Sequence, residues 1–508
     1  MSTDDARALR DYIPSLSHIY APRMGAPQRC AAYRRFRQPN GIEIIVLPRS
    51  AAPACRAAGV TLNIAQAQFA PAADALLSRD ALIPDFLYDD QRAIVAHIRS
   101  LWTRESDGRA LKYGSAFLDL RAGYGKTFVA AGIIALFGVM AKPSGARALY
   151  IVPTCELARQ TCADLRAAFA AEDDERIVYA DSGASFRAAT CADAPARVCV
   201  VVINTILSVF AGSDSDDARV EGISRAFTLT IFDEAHTYCS PIRAKIFWIA
   251  QTRFMFGMTA TVGERRDGFD FMLAHHLCPM IDAARIDGFS YSARGGDCAT
   301  EFRCCVRKVR YFARDEYARN LRHESTDVVF AHYMYDQFAR DEARTRVIVD
   351  ETRALLNAGR NIFIFAEERA HVEAIARALD DARVASANDR ECEDIAPARY
   401  VIFYSGVSDE ERRVALCGGA RVIIATFGYS GTGISIVRMD AMILASPRYS
   451  GMKQIVGRIL RRGSDAQIER VIVDIVDQKT CLARQFRLRR NAYAFYGARF
   501  ERVDIYAP

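Results

Sequence analysis

Short runs of apolar and β-branched residues alternate along this chain with longer stretches whose apolar residues recur at helical spacing. Runs that are apolar throughout are typical of strands buried on both faces of a parallel sheet. The runs form two groups, separated by a segment rich in glycine and turn residues, 279–296, which we expect to join two sheets. The predicted strands are 116–120, 148–152, 198–203, 229–232 and 254–258 in the first group, and 361–365, 400–404, 422–425, 441–444 and 471–476 in the second.

This pattern predicts the α/β class, with two doubly wound parallel sheets in tandem and a small N-terminal accessory domain. The accessory domain spans residues 1–80, with several prolines and one clear predicted strand at 42–47. The two sheet domains span 81–282 and 283–480, and a basic, aromatic C-terminal tail follows at 481–508. Ligands of such sheets bind beyond the carboxyl ends of the strands, which is where the motifs below lie.

Composition excludes a disordered or fibrous protein, because 51% of the 508 residues are hydrophobic and 25% are charged. The formal net charge of +6 does not by itself demand a nucleic-acid partner. Only seven of the 67 basic residues are lysines, so a retained lysine favours a position that needs an ammonium rather than a guanidinium. The 14 cysteines form no CxxC pair and are scattered, which favours reduced thiols in a cytoplasmic protein.

A glycine-containing segment, residues 120–127, follows the first predicted strand and opens a helix, as a phosphate-binding loop does. Glycines let backbone N–H groups approach phosphate oxygens, and the helix adds the positive end of its dipole. We expect the Lys126 ammonium to reach the β- and γ-phosphates and the Thr127 hydroxyl to bind Mg²⁺. Leu120 stands where the general pattern has glycine, so the front of this loop is a variant.

An acidic pair, Asp233 and Glu234, follows the fourth predicted strand, and His236 lies two residues further on. We expect Asp233 to hold Mg²⁺ through water, and Glu234 to orient and deprotonate the water that attacks the γ-phosphate. Acidic pairs at strand ends are common. A pair that follows a phosphate-binding loop along the chain predicts nucleotide hydrolysis.

Two further motifs accompany this pair. The segment 257–268 follows the fifth strand, and its threonine hydroxyls could link the nucleotide site to a nucleic-acid groove; alone it would be interpreted as a polar turn. In the second group, residues 454–462 have the spacing Gln-x-x-Gly-Arg-x-x-Arg. Arg458 and Arg461 are three apart on a predicted helix, so they would share a face and act as arginine fingers on a γ-phosphate.

These motifs, in this order, resemble those of the superfamily 2 helicases of the DEAH/DExH type over residues 85–480. The resemblance implies two RecA-like domains and the hydrolysis of ATP with Mg²⁺ as the driving step for movement on nucleic acid. Segments 86–91, 153–160, 204–205, 363–365 and 425–435 also resemble motifs of this family. Departures occur at Leu120, at Val262 in place of a frequent proline, and at Ser435 in place of aspartate or asparagine.

The motifs and the resemblance assign roles to residues as follows. The catalytic residues are Lys126, Asp233, Glu234, Arg458 and Arg461. The ATP-binding residues are Gln91, Leu120, Arg121, Ala122, Gly123, Tyr124, Gly125, Lys126, Thr127, Gly433 and Gln454. The coupling residues are His236, Thr259 and Thr261. The nucleic-acid-binding residues are Pro153, Thr154, Asn204, Thr205, Thr426 and Gly428, and the Mg²⁺ ligands are Thr127 and Asp233.

A narrower similarity is to the poxviral DNA helicases that release nascent transcripts. It rests on the segment 257–268, the small N-terminal part and the short arginine-rich C terminus. It implies a DNA-stimulated ATPase with 3′-to-5′ unwinding in viral transcription, with RNA polymerase and transcription factors as partners and a place in the virion. The chain begins without a signal peptide and its longest apolar run, 128–141, is too short for a bilayer, so no membrane partner is expected.

Three alternatives stay open. A DEAH-type RNA helicase is the first, although such enzymes usually carry long C-terminal domains and only 30 residues follow Gln478. A DNA-repair or recombination translocase is the second. A non-catalytic scaffold that binds DNA or polymerase is the third, and it is disfavoured because Lys126, Glu234 and the arginine pair are retained.

Two basic, aromatic stretches, 33–37 and 484–496, have two interpretations. Arginines and aromatic rings can stack on unpaired bases. The same pattern also fits an amphipathic element that packs its rings on the protein and shows its arginines to water. We favour the second interpretation.

Overall fold

A computed structural model describes much of the chain. The described residues are 12–20, 26–37, 43–59, 83–103, 114–121, 123–140, 146–170, 175–191, 193–211, 223–260, 262, 265, 267–289, 302–320, 331–388, 400–404, 419–430, 436–448, 450–460, 465–501 and 504–506. The chain divides into two compact units, which are described separately. Unit 1 comprises Met1–Arg121 and Gly125–Ala293, and unit 2 comprises Arg294–Pro508 with Ala122–Tyr124.

Unit 1 begins with two antiparallel hairpins. Strand β1 (Ser17–Tyr20) pairs with β2 (Gln28–Ala31), and β3 (Arg34–Arg37) pairs with β4 (Glu43–Val46). The short helices α1 (Tyr12–Ser15) and α2 (Ala52–Ala57) flank them. The single predicted strand at 42–47 corresponds to β4, so the sequence pattern missed three of these four short strands.

Seven strands form the sheet of unit 1. They are β5 (Ser115–Asp119), β6 (Ala148–Val152), β7 (Ile177–Ala180), β8 (Val198–Val202), β9 (Leu229–Phe232), β10 (Phe254–Thr259) and β11 (Met280–Asp282). All pairs are parallel, in the order β11-β5-β10-β9-β6-β8-β7. Every residue of β6, β8, β9 and β10 is buried, as expected for central strands covered on both faces.

Helices connect these strands. They are α3 (Asp89–Thr103), α4 (Lys126–Leu136), α5 (Cys155–Ala168), α6 (Gly183–Thr190), α7 (Ile203–Val209), α8 (Ile246–Ile249) and α9 (Phe271–His276). Helix α3 packs closely on α4, because Gly132 presents no side chain there. A methyl group at Gly132 would lie 2.7 Å from Leu87 Cδ1 and 2.8 Å from Val95 Cγ2. The glycine therefore fixes how near the segment around Gln91 lies to the helix that begins at Lys126.

Unit 2 contains a second parallel sheet. Its strands are β12 (Cys304–Tyr311), β13 (Ile362–Ala366), β14 (Tyr400–Phe403), β15 (Val422–Thr426), β16 (Ala441–Leu444), β17 (Arg470–Asp477), β18 (Arg499–Phe500) and β19 (Asp504–Tyr506). The order is β14-β15-β13-β16-β17-β12, with both β18 and β19 paired to β12. Its helices are α10 (Ala331–Arg340), α11 (Glu342–Asn357), α12 (Arg369–Asn388), α13 (Phe427–Ser430), α14 (Met452–Val456) and α15 (Gln485–Phe495).

Alternate residues of the central strands in unit 2 enter opposite cores. Ile362 and Ile364 of β13 pack into one buried cluster, and Phe363 and Phe365 pack into another. This period of two places one apolar core on each face of the sheet. The predicted pair of doubly wound parallel sheets is thus confirmed, and all ten predicted strands are present with ends that differ by at most one residue.

The C-terminal residues differ from the expected tail. Helix α15 packs against α14, and both β18 and β19 extend the sheet of unit 2. Tyr493 is fully buried, and Arg489 is buried in an ion pair with Asp474 at 2.8 Å. The packing interpretation of the stretch 484–496 therefore holds for Tyr493, but Arg489 is buried in an ion pair and is not shown to water as that interpretation expects. Among the described residues, no helix is both long and apolar enough to cross a lipid bilayer.

Candidate functional site

The carboxyl ends of the parallel strands in unit 1 bring the predicted nucleotide-site residues together. Strands β5, β10 and β9 are neighbours, and the phosphate-loop segment, Thr259 and the acidic pair lie at their ends. A backbone bond from Leu120 N to Thr259 O, 2.9 Å long, joins the start of the loop to the end of β10. Neighbouring strands are about 4.8 Å apart, so side chains at these three ends are within reach of one another.

The central contact of this site is an ion pair. Lys126 Nζ lies 2.6 Å from Glu234 Oε1, and both side chains are largely removed from solvent. The other carboxylate oxygen of Glu234 lies 3.6 Å from His236 Nδ1. The same His236 nitrogen lies 2.6 Å from Thr259 Oγ1. A polar chain thus runs from the phosphate-loop lysine through Glu234 and His236 to Thr259, the last residue of β10.

Backbone conformation sets the direction of Glu234. Its φ of 47° is left-handed, which is uncommon for a residue with a Cβ. The turn is held by Asp233 Oδ1, which accepts the Glu234 N–H at 2.9 Å, and by the Thr237 hydroxyl, which donates to Glu234 O at 2.9 Å. A strained backbone held by its surroundings is found at functional sites, and here it turns Glu234 toward Lys126.

Asp233 lies deeper than its neighbour. Its side chain is buried, and Oδ2 accepts a hydrogen bond from the Tyr150 hydroxyl at 3.3 Å. Burial, and next the charge of Glu234, raise the pKa of Asp233 to about 6. Each Asp233 oxygen keeps a further lone pair, and carboxylate and hydroxyl oxygens are the ligands that Mg²⁺ prefers. The donor set of Asp233 and Thr127 therefore fits the predicted metal.

The phosphate-binding loop has the shape that its sequence predicts. Gly123 and Gly125 have left-handed φ values of 80° and 89°, and Lys126 is the first residue of α4. A methyl group at Gly125 would lie 2.7 Å from Gln91 Nε2, so the loop backbone passes close to this amide. The Gln91 side chain is itself oriented by the Tyr88 N–H, which donates to Gln91 Oε1 at 3.2 Å. The loop can therefore present backbone N–H groups without side-chain obstruction.

A guanidinium to which the sequence motifs assign no role, that of Arg265, supports this site. Arg265 Nη1 donates to His236 O at 3.1 Å, and Arg265 Nε donates to Asp267 Oδ1 at 2.9 Å. Asp267 Oδ1 in turn accepts the Phe269 N–H at 3.2 Å. The sequence motifs also assign no role to Tyr150. A tyrosine in the middle of an otherwise apolar buried strand needs a partner for its hydroxyl, and that was the available signal.

The predicted nucleic-acid residues of unit 1 lie at the same edge of the sheet, beyond β6 and β8. Thr154 immediately precedes α5, and its hydroxyl accepts the Leu157 N–H at 3.4 Å, so part of its role is to cap this helix. Pro153 is half-buried, Asn204 on α7 is exposed and Thr205 is half-buried. One polar candidate, Asn204, is thus exposed beyond β8, which β6 separates from the nucleotide-site strands.

In unit 2 the structure corrects one expectation. Helix α14 ends at Val456, so Arg458 does not lie on the predicted helix. The N–H groups of Arg458 and Ile459 bond three residues back, to Ile455 O at 3.0 Å and Val456 O at 3.2 Å, because the chain tightens after Gly457. Arg458 is buried, and the buried Arg470 donates to Ile459 O at 2.7 Å, which holds this turn.

The remaining assigned residues are placed as follows. Gln454 lies on α14, Thr426 is the last residue of β15 and Gly428 lies on α13. Arg121 is half-buried before the loop, and Tyr124 is buried within it. Ala122, Thr261, Gly433 and Arg461 lie outside the described residues.

Comparisons with known proteins agree with this architecture. A family model described as "Type III restriction enzyme, res subunit" matches residues 87–264. The chain is similar to protein QP509L of African swine fever virus, isolate Tick/Malawi/Lil 20-1/1983, which is named as a candidate ATP-dependent RNA helicase. The two are 29% identical over 393 residues, covering 75% of this chain and 69% of QP509L.

Solved helicase structures share the fold. The DEAD-box helicase Mss116 bound to single-stranded RNA matches with a TM-score of 0.54 and 12% identity, over 86% of this chain and 80% of Mss116. Mycobacterium smegmatis helicase Lhr bound to single-stranded DNA matches with a TM-score of 0.51 and 17% identity, over 86% of this chain and 51% of Lhr. At these identities the likeness concerns the fold.

Two RecA-like domains with a phosphate-binding loop and an acidic pair define an ATP-hydrolysing motor of the helicase class. The chain resembles the superfamily 2 helicases in its matched family model, in its similarity to QP509L and in its fold.

Proposed function

We propose that this protein is a DNA-stimulated ATPase that moves along one strand in the 3′-to-5′ direction and acts in viral transcription. The observation that supports it most is the polar chain from Lys126 through Glu234 and His236 to Thr259. It joins the lysine proposed to bind phosphate to the ends of β9 and β10, and β9 is the neighbour of β6, beyond which Pro153 and Thr154 lie. A change at the nucleotide would thus reach the candidate nucleic-acid residues through the end of β9.

The assigned residues of unit 1 have proposed tasks in the binding and hydrolysis of ATP. Lys126 leaves Glu234 for the phosphates when ATP binds, and this frees the Glu234 carboxylate to accept a proton from the attacking water. Thr127 and Asp233 would hold Mg²⁺, which supplies positive charge next to the phosphate oxygens. Gln91, beside Gly125, would recognise the adenine, as the family resemblance implies.

The assignments in unit 2 are proposals that rest on motif spacing. Arg458 and Arg461 would stabilise charge on the transferred phosphoryl group, and Gln454 would contact the nucleotide. Thr426 and Gly428, with Pro153, Thr154, Asn204 and Thr205 of unit 1, would contact the backbone of the bound strand. Contacts of this kind read no sequence, so affinity should fall as salt rises.

DNA is the proposed substrate, and RNA is the second candidate. The matching family model is named for restriction enzymes, a class that acts on DNA, and this supports DNA. The name of QP509L supports RNA. A role in transcript release, contact with RNA polymerase, cytoplasmic action and packaging in a virion are the finer parts of the proposal, motivated by the resemblance to poxviral helicases.

Strand displacement distinguishes the two substrates. We would measure ATP-dependent unwinding of DNA, RNA and hybrid duplexes that carry either a 3′ or a 5′ single-stranded tail. The proposal expects unwinding when the loading strand is DNA with a 3′ tail. Activity confined to an RNA loading strand would replace DNA by RNA as the substrate, and a 5′-tail requirement would overturn the proposed polarity.

A further inference from the structure

A group of cations that includes none of the motif residues lies on β12 and α15 of unit 2. Lys308 and Arg310 are two apart on β12, so their side chains lie on the same face of the sheet. Arg487 and Arg490 are three apart on α15, so they are neighbours on the helix surface, and both are exposed. We name these four residues the β12–α15 basic patch.

Aromatic rings hold three of these cations in place. Lys308 Nζ lies 4.4 Å from the centre of the Phe486 ring, and the Arg310 guanidinium lies 5.5 Å from that of Phe312. The Arg490 guanidinium lies 5.6 Å from the ring centre of Phe500, which is 43% exposed. A cation fixed over a ring loses little further freedom when an anion binds, so these groups are ordered before any ligand arrives.

Among the described residues, no ion pair neutralises the four cations of the patch. Burial and then the nearby Arg310 lower the pKa of Lys308, and Arg490 acts in the same direction. The carboxylate that opposes this effect, Asp474, is fully buried and already accepts hydrogen bonds from Arg489 and from Tyr493.

Neighbouring carboxylates are also engaged. Glu469 and Glu501 are both paired with Arg499, at 2.9 Å and 3.1 Å. Exposed arginines elsewhere in the unit differ from those of the patch, because Arg340 and Arg346 lie beside an acid on their own helix. The cations of the patch are therefore available to pair with an anion from outside the protein.

We propose that the β12–α15 basic patch binds the phosphate backbone of a single-stranded nucleic acid, outside the motif residues. The interleaving of cations with rings favours this occupant over an acidic protein segment, since guanidiniums and ammonium groups bind phosphates while an exposed ring such as Phe500 stacks on a base. The inference rests on the proposed function, because it adds a second contact to the strand on which the motor moves.

The test is the salt dependence of binding by the full chain. We would measure the affinity of the wild type and of the double variant Arg487→Gln, Arg490→Gln for a single-stranded oligonucleotide across a range of salt. Loss of two phosphate contacts should reduce the slope of log K against log salt by about 1.4 and weaken binding most at low salt. The matched control is Arg340→Gln, Arg346→Gln, which removes two exposed arginines whose charge is already paired.

A second measurement does not depend on removing charge. Ala494 is exposed and lies four residues after Arg490 on the same face of α15, so a photoreactive side chain at that position should cross-link to the bound strand. An unchanged salt slope in the double variant together with no cross-link would overturn the patch. Failure of the proposed function is distinguishable, because the wild type would then show no nucleic-acid-stimulated ATP hydrolysis at all.

Discussion

Two adjacent carboxylates at the end of β9 have different surroundings, and this separates their tasks. Asp233 is buried under Tyr150, whereas Glu234 faces Lys126 and His236. A carboxylate held next to an ammonium that leaves on phosphate binding suits a base that is released only when substrate is present. Asp233, which is buried and has a raised pKa, would lose its proton fully when a cation such as Mg²⁺ binds next to it, as a metal ligand does.

The raised pKa of Asp233 makes a prediction about stability. The Asp233 carboxyl binds its proton more tightly in the folded chain than in the unfolded chain, where its pKa is the ordinary 3.8. The contribution of Asp233 to stability is therefore complete below about pH 4 and is lost as pH rises through about 6. Asp233→Asn avoids this loss. We expect it to abolish ATP hydrolysis and yet to raise the melting temperature at pH 8 by about 2 °C or more, with a smaller difference at pH 5.

Asp315→Asn provides the control of opposite sign. A hydrogen bond from Lys479 lowers the pKa of Asp315, so its neutralisation should lower the melting temperature at pH 8 or leave it unchanged. Thermal melting at both pH values gives the comparison. An Asp233→Asn variant that melts at or below the wild type at pH 8 would contradict the account of Asp233.

At the scale of elements, the first hairpin supports the nucleotide site of unit 1. The His18 ring on β1 packs edge-on against Phe269 at 5.6 Å, within the turn that Arg265 joins to His236. Gly268 has a left-handed φ of 70°, and a methyl group there would lie 2.7 Å from His18 Nε2. The hairpin therefore packs directly on the turn that Arg265 joins to His236, a predicted coupling residue.

Removal of the contact between His18 and this turn should affect the nucleotide site of unit 1. His18→Ala should lower the free energy of unfolding by about 1 kcal/mol, since it removes an aromatic contact. The substitution should also reduce nucleic-acid-stimulated ATP turnover more than basal turnover. The reason is that the turn containing Phe269, which Arg265 joins to His236, would then be held in place less firmly. The matched control is Ile19→Ala on the same strand, where the side chain is 61% exposed. Equal stimulation in both variants would show that the hairpin has no part in coupling.

The sequence predicted elements well where burial alone decided them. Strands such as β6, buried at every position, stand out as apolar runs. Strand β12 was missed because Arg307, Lys308 and Arg310 interrupt its pattern at half-buried positions. The position of Arg458 beyond α14 was missed because three-residue spacing fits a helix and a succession of tight turns equally well. The contact of Arg265 with His236 was beyond reach, since it joins a side chain to a backbone carbonyl.

At the scale of the whole molecule, two parallel sheets repeat one architecture, but their site residues differ in kind. Unit 1 holds the lysine, the acidic pair and the coupling residues, and unit 2 holds the arginine of the Gln454 motif and the β12–α15 basic patch. The residue roles are predictions from motif and geometry, whereas the helicase fold is confirmed by the two sheets and by the solved helicases that match them.

The central claim is that Glu234 serves hydrolysis that nucleic acid stimulates. The most direct measurement is steady-state ATP turnover by the wild type and by Glu234→Gln, with and without single-stranded DNA or RNA, with folding checked by melting temperature. We predict that nucleic acid accelerates the wild type, and that Glu234→Gln lowers turnover by about 10²- to 10⁴-fold under both conditions while remaining folded. Wild-type turnover in Glu234→Gln, or a wild type that responds to neither nucleic acid, would contradict the account.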